Sequence, residues 1–257
     1  MKNLLKLEFR KLKRQRSFYI ILAIMLAFLV ISALTMKVLE NFSEQLSDIG
    51  EEFGESFTVS GSGLLLGFLS NCNFALLTAI FVAIVVCDDY DSHIVKNIFS
   101  RGYSRSDFYF AKLIYVIVTT SIMFVAAVAV SAVLSEILFG LEGNVRKMIY
   151  LISAQYLASL ATVSLYFALC TVIKKLGASI AANIIAPSVA GLLLTLLDQV
   201  IKSEDFRIAD YWVSSLTNKL SDIAAVKTDV IVCSLLAVAY FVVFTVVGYV
   251  FSERSEA

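Results

Sequence analysis

Six stretches of the chain are almost free of charge, at 17–36, 64–87, 113–135, 148–173, 176–197 and 230–251. Each is about as long as the ~20 residues that a helix needs to cross a hydrocarbon core. Lipid offers no partner to a backbone N–H or C=O, so such stretches cross as helices that satisfy their own hydrogen bonds. The fifth span is taken to residue 200. Hydrophobic residues make up 59% of the 257 and charged ones 16%, well beyond the apolar share of about 45–50% in a soluble domain. That excludes an ordinary soluble enzyme, and the residues outside the spans are too few for a large soluble domain. The expected fold is therefore all-α: one polytopic transmembrane domain over 1–257 with six transmembrane helices.

The net charge of zero conceals an asymmetry, because all 21 Lys and Arg lie outside the spans. With the N-terminus inside, fourteen of the 21 fall on the inner side, seven of them between Lys2 and Arg16. Lys and Arg bias sets orientation, so both termini are expected in the cytoplasm. The first apolar run is longer than a signal-peptide core and no small-x-small site follows it, which favours a retained span. Cys72, Cys87, Cys170 and Cys233 sit in or at the ends of spans without a C-x-x-C pair, and read as small packing residues rather than as a disulfide or metal set.

Residues 1–16 carry a basic stripe of Lys2, Lys6, Arg10 and Lys13 beside Leu5, Phe9 and Leu12. This spacing predicts a helix lying flat on the inner leaflet, with Leu4 and Leu7 off its apolar arc; a shapeless, topology-setting tail is the plainer alternative. Beyond the first span, the outer segment 37–63 repeats Leu39, Phe42, Leu46, Ile49 and Phe53 among six carboxylates that include Glu51, Glu52 and Glu55. An amphipathic acidic helix is expected, its charges either a solvated face or an attraction for cationic cargo. The Ser60-Gly61-Ser62-Gly63 run is expected to end it before the second span.

The inner connection 88–112 opens with carboxylates suited to a helix N-terminus, pairs Ile94 with Ile98 and Val95 with Phe99 at i, i+4, and places Gly102 where a left-handed cap would stop a helix. Ser104 and Asp107 match a capping box that opens the next helix. A short helix with an apolar face, too short to fold alone, needs a surface to cover it, either a protein partner or the membrane. In the fifth span, Pro187 is the only proline of the chain and cannot give an N–H to the carbonyl of Asn183. Asn71, Asn73, Asn183, Pro187 and Gly191 are accordingly the candidate pathway residues, against the simpler reading of a packing kink. The outer segment 201–228 has Ile208, Trp212, Leu216, Leu220 and Ile223 at helical spacing, with Tyr211 and Trp212 as expected interface anchors.

Several chemistries lack their residues. The one histidine, His93, falls in the inner connection, so no metal cluster or Ser-His or Cys-His centre is expected inside the membrane. There is no G-x-x-x-x-G-K-[ST], so ATP and Mg would have to be held by another chain, and this chain is expected to bind no cofactor and to catalyse no reaction. Only Glu136 and Asp198 come near a span, both at an outer end, which argues against an ion-coupled carrier. Nothing points to nucleic acid.

The order of Lys6-Leu7-Glu8-Phe9-Arg10-Lys11, six spans, and an inner connection with Ile94-Val95-Lys96-Asn97, Gly102 and Ser104-Arg105 resembles the permease subunit of type-two ABC exporters. Within these it is similar to the bacterial branch that exports antimicrobial or cytolytic peptides, such as phenol-soluble modulins or lantibiotics. The resemblance implies an interface helix using Leu5, Lys6, Phe9, Arg10, Leu12 and Lys13. It also implies a coupling helix docking on an ABC ATP-binding subunit through Asp91, Ile94, Val95, Lys96, Ile98, Phe99, Arg101 and Gly102. Short re-entrant helices between spans five and six, and a second permease copy giving a two-plus-two complex in the bacterial plasma membrane, complete the expectation. Export of drugs, sodium or lipid is the alternative within this class, and a non-transporting immunity or sensor scaffold the alternative outside it.

Overall fold

A computed structural model of the chain describes residues 2–12, 15–47, 60–70, 72–92, 94–140, 144–201, 207–222 and 226–254. The described residues are all α apart from short turns and one 3-10 turn. Helix α1 spans Lys2–Leu12 and α2 spans Arg16–Ser47; the second span is split into α3 (Gly61–Ser70) and α4 (Cys72–Asp91). A short α5 (Ile94–Ser100) precedes the long α6 (Arg105–Phe139), followed by α7 (Val145–Ile173) and α8 (Leu176–Ile201). A 3-10 turn at Ile208–Tyr211 and α9 (Val213–Lys219) lead into α10 (Lys227–Arg254). Among the described residues, six helical stretches are long and apolar enough to cross a membrane: Arg16–Phe42, Gly61–Asp91, Arg105–Phe139, Val145–Ile173, Leu176–Ile201 and Lys227–Arg254.

Local signals account for most of the boundaries. Ser104 caps α6, its Oγ accepting the Asp107 N–H at 3.1 Å, and Gly102 closes α5 at φ 84°. Two expectations are corrected. The Ser60–Gly63 run does not stay out of the helix: Ser60 Oγ accepts the Gly63 N–H at 3.1 Å and α3 begins at Gly61, so the second span starts earlier. Asp88 and Asp89 do not open the short helix either; they lie in the last turn of α4.

The spans close around a core of Met25 and Leu29 from α2, Phe81 from α4, Tyr115 and Met123 from α6 and Phe167 from α7. A second cluster joins Leu65 and Leu66 of α3, Leu151 and Ala158 of α7, Leu216 and Leu220 near α9, and Ala237 of α10. Helices α7 and α10 approach closely across small residues: a Cβ on Gly248 would come 2.7 Å from Tyr109 Oη and 3.2 Å from Ala168. The outermost span is α8, whose buried residues are Ser179, Asn183 and Pro187, a stripe at i, i+4 and i+8. Its Ile185, Leu192, Leu193 and Leu197 face outward, an inside-out pattern suited to lipid or to another apolar surface.

Candidate coupling face and mid-span cavity

At the end of the bundle where α1 and the end of α10 lie, four charged side chains from three helices meet, three of them out of water. Lys112 of α6 reaches Asp89 of α4 at 2.5 Å and Glu8 of α1 at 3.3 Å. Lys11 of α1 reaches the other oxygens of the same carboxylates, Asp89 at 2.8 Å and Glu8 at 3.5 Å. Glu8, Asp89 and Lys112 are almost fully buried. Isolated charges there would be prohibitive, and the alternation of two acids and two ammonium groups is what makes the burial tolerable. Asp89 bears a further burden, since a carboxylate in the last turn of a helix faces the negative end of its dipole. Partial burial works against the Lys11 ammonium, but Asp89 and Glu8 beside it outweigh that and raise its pKa above the ordinary lysine value. Tyr115 extends the network, donating to Gln15 Oε1 at 2.7 Å.

Helix α5 lies against this clamp. Val95 and Ile98 are buried with Leu4, Phe108 and Ala111, while Ile94 and Phe99 are half-buried on the same cluster. Ile98 therefore does not offer its side chain to a partner: the chain covers that part of the apolar face itself. Leu4, expected off the apolar arc of α1, is one of the covering residues, and Leu7 is exposed. The free surface of this region is polar, with Asp91, Lys96, Arg101 and Gly102 all exposed. Among the interface-helix residues, Lys6, Phe9 and Arg10 are exposed and Leu5 and Leu12 half-buried, with Phe9 edge-on to Tyr115 at 6.3 Å. Lys13 and His93 lie outside the described residues.

A lysine in the left-handed conformation, Lys174 at φ 59°, makes the turn between α7 and α8. Its ammonium stands 5.5 Å from the centre of the Tyr90 ring, beside α5. Burial lowers its pKa, and the Arg105 charge adds to the shift.

Midway along the bundle, a cavity of about 260 Å³ opens between α4, α7, α8 and α9. Asn183 and Pro187 line it, together with Leu69, Ser70 and Phe74 on either side of the α3–α4 break. Asn71 lies outside the described residues, and Asn73 is described only as part of α4. Gly191, one turn beyond Pro187, packs on the Trp212 ring rather than on the cavity. Trp212 itself corrects an expectation. It is no interface anchor, because its Nε1–H donates to the Pro187 carbonyl at 3.0 Å, deep in the span.

The segment after α8 thus turns back into the bundle. Asp198 caps its start, accepting the Ile208 and Ala209 N–H groups at 2.9 and 2.8 Å. Buried Gln155 of α7 fixes its far end, donating to the carbonyls of Leu220 at 3.2 Å and Leu66 at 3.1 Å. The acidic outer positions Glu51, Glu52 and Glu55, with Ile49 and Phe53, lie outside the described residues; the seam positions Leu39, Phe42 and Leu46 continue α2, where Leu39 and Phe42 are exposed.

Sequence reasoning overlooked the clamp and Gln155. The available signal was the placement of Glu8 one turn from both Leu4 and Leu12, an acid on a face that is otherwise apolar.

A bundle of six helical stretches long and apolar enough to cross a membrane, with a short helix held at one end and a mostly apolar cavity at mid-depth, defines the class of polytopic membrane proteins. The family model described as "ABC-2 family transporter protein" matches residues 4–198, the interface helix and the first five spans. The chain belongs to this family and is its transmembrane permease component, which works with an ATP-binding subunit. Among curated proteins none matches it.

Proposed function

We propose that the chain is one half of an ATP-driven exporter of amphipathic peptides, with both termini in the cytoplasm of a bacterial cell and a second copy of the chain completing the pathway. The observation that carries the reading is the α5 assembly. A helix too short to stand alone is clamped between the second and third spans and α1, and presents a polar face at the basic end of the molecule. An ATP-binding subunit pressing on Lys96, Arg101 and Gly102 would move α4, α6 and α1 together, because the buried ion pairs join them. The Tyr90–Lys174 contact carries the same push to the base of α8, which leads to Asn183 and the cavity. The outward apolar face of α8 suits a second copy, and the acids Glu51, Glu52 and Glu55 would meet a cationic peptide on its way out.

The test is to purify the chain with its ATP-binding subunit and measure ATP hydrolysis with added peptides. Stimulation by amphipathic cationic peptides, and its loss when Glu51, Glu52 and Glu55 become Gln, is expected. A hydrolysis rate indifferent to every peptide would overturn the cargo assignment.

A further inference from the structure

The bundle end opposite the four-charge clamp holds cations with no acid to meet them. Helices α7 and α10 both begin there and pack along each other, and a cleft of about 660 Å³ opens between their first turns. Arg146 and Lys147 of α7 and Lys227 of α10 line it, with Asn144 and Tyr150. None of these three cations has an ion-pair partner among the described residues. Asp222 and Asp229, which flank Val226 and Lys227 in the chain, do not line the cleft. Other cations at this end are matched, Lys37 with Glu40 at 2.8 Å and Lys219 with Asp210 at 3.3 Å. The positive ends of two helix dipoles point to the same place. The missing complement is an anion.

Below the cleft the surface changes character. A groove of about 650 Å³ lies between the same two helices, walled by Leu157, Leu235, Val238, Val242 and Val243. No charged residue lines it, and its one hydroxyl, Ser234, donates to Ile231 O at 2.8 Å. On α10, Lys227, Ile231, Ser234, Val238 and Val242 recur every three or four positions, so cleft and groove share one face of the helix. From Ile231 to Val243 the groove runs ~18 Å at about 1.5 Å per residue, against ~15 Å for half a hydrocarbon core. Leu235, Val238, Val242 and Val243 are exposed, so the chain does not cover the groove itself.

We propose that cleft and groove together bind one anionic glycerophospholipid, its phosphate among Arg146, Lys147 and Lys227 and an acyl chain in the groove. The Arg146 guanidinium offers paired N–H groups to two phosphate oxygens, the two ammonium groups add charge, and Tyr150 brings a phenol to headgroup depth. A zwitterionic lipid carries the same phosphate, but its own cation would sit among three others. On the orientation proposed above the lipid belongs to the outer leaflet; the binding itself rests neither on that orientation nor on the cargo.

The full-length permease in dodecylmaltoside is titrated with dioleoyl phosphatidylglycerol, dioleoyl phosphatidylcholine and glycerophosphate, and bound molecules are counted by native mass spectrometry. No ATP-binding subunit or transport is involved, so failure here is distinct from failure of the export reading. Phosphatidylglycerol is expected to bind saturably and at least about tenfold more tightly than phosphatidylcholine. Arg146→Gln, Lys147→Gln and Lys227→Gln should each weaken it by about fivefold, and the triple variant should bring the two lipids level. Lys37→Gln, at the same end but outside the cleft, should leave the preference intact. Val238→Phe, which fills the groove, should weaken both lipids alike. All these positions are at least partly exposed, so the variants are expected to fold, and emission of Trp212, the only tryptophan of the chain, checks that they do. Equal binding of the two lipids, a preference that survives in the triple variant or is lost equally in Lys37→Gln, undiminished binding by Val238→Phe, or glycerophosphate as tight as phosphatidylglycerol would overturn the proposal.

Discussion

Lys112 and Asp89 form an ion pair of 2.5 Å with both side chains 4% exposed, at the point where the second and third spans converge on α1. The pair is the centre of a neutral group of four charges, and Glu8 and Lys11 of α1 complete it. The N-terminal helix is therefore held to the bundle by charge as well as by Leu4.

Removing one member should hurt more than removing a neutral pair. Lys112→Met leaves a buried net negative charge and is expected to cost about 3–5 kcal/mol. Adding Asp89→Leu to it restores neutrality and should recover part of the loss. Thermal unfolding of the single and double variants in detergent checks this, and a double variant as unstable as the sum of its singles would refute it.

The two faces of α5 should separate stability from partner binding. Ile98→Ala hollows the cluster with Leu4 and Phe108 and is expected to lower stability by about 2–5 kcal/mol. Charge reversal at exposed Lys96 and Arg101 should leave unfolding unchanged and reduce capture of the ATP-binding subunit. Full capture by Lys96→Glu, Arg101→Glu would remove the docking role from this surface.

Gly248 should tolerate no side chain. A Cβ there meets Tyr109 Oη, which already donates to Thr245 O at 2.8 Å, and the backbone of Ala168. Gly248→Leu is expected to destabilise by about 1–3 kcal/mol or more through overpacking. Gly177, with nothing within 4 Å of its Cβ position, is the control, and Gly177→Leu should leave the melting temperature nearly unchanged.

Pro187→Ala supplies the N–H that Asn183 lacks and removes a helix-interior proline, a change that favours α8 by up to about 3 kcal/mol. Abundance is expected to hold while peptide-stimulated hydrolysis falls, because the added N–H draws in the Asn183 carbonyl and shifts the turn whose Pro187 carbonyl holds Trp212. A shift of Trp212 emission reports that movement. Equal loss of abundance and activity would reduce the proline to a packing feature.

The Lys11 pKa gives a pH signature. It is raised from 10.5, so the stabilisation from its pairing is complete below that value and is lost as pH rises through the higher folded-state pKa. Protection of α1 amides relative to their intrinsic exchange rate at each pH should stay constant on this account from neutral pH to about pH 10 and fall only above it. Lys11→Arg, whose guanidinium does not titrate there, should abolish the fall.

Hydropathy made the spans legible because lipid imposes one period and one length on every crossing helix. Gly102 and the Ser104–Asp107 box were legible because capping is local. What escaped was long-range. Asp89 read as the opening of a loop helix because its two cations lie 78 and 23 positions away. Trp212 read as an interface anchor because an indole suits the headgroup region, and nothing nearby reveals that a proline carbonyl 25 positions earlier is waiting for its N–H. Ile98 showed a true apolar face, but periodicity does not say whether the cover is a partner or the chain itself. Among the pathway candidates, Asn183 and Pro187 were found through the proline's missing donor, whereas Gly191 met Trp212 instead of the cavity.

The four-charge clamp also sets a timetable for biogenesis. Chains emerge N-terminus first, so Glu8 and Lys11 exist long before Asp89, and Lys112 follows last. Until the third span is made, the carboxylates of α1 and α4 outnumber their ammonium partners two to one, and α1 has no finished berth. Docking of the N-terminal helix thus becomes a record that the second and third spans have been inserted and paired. A nascent chain arrested before residue 112 would carry an unbalanced acid at the membrane boundary, a mark by which quality control could tell it from a completed permease.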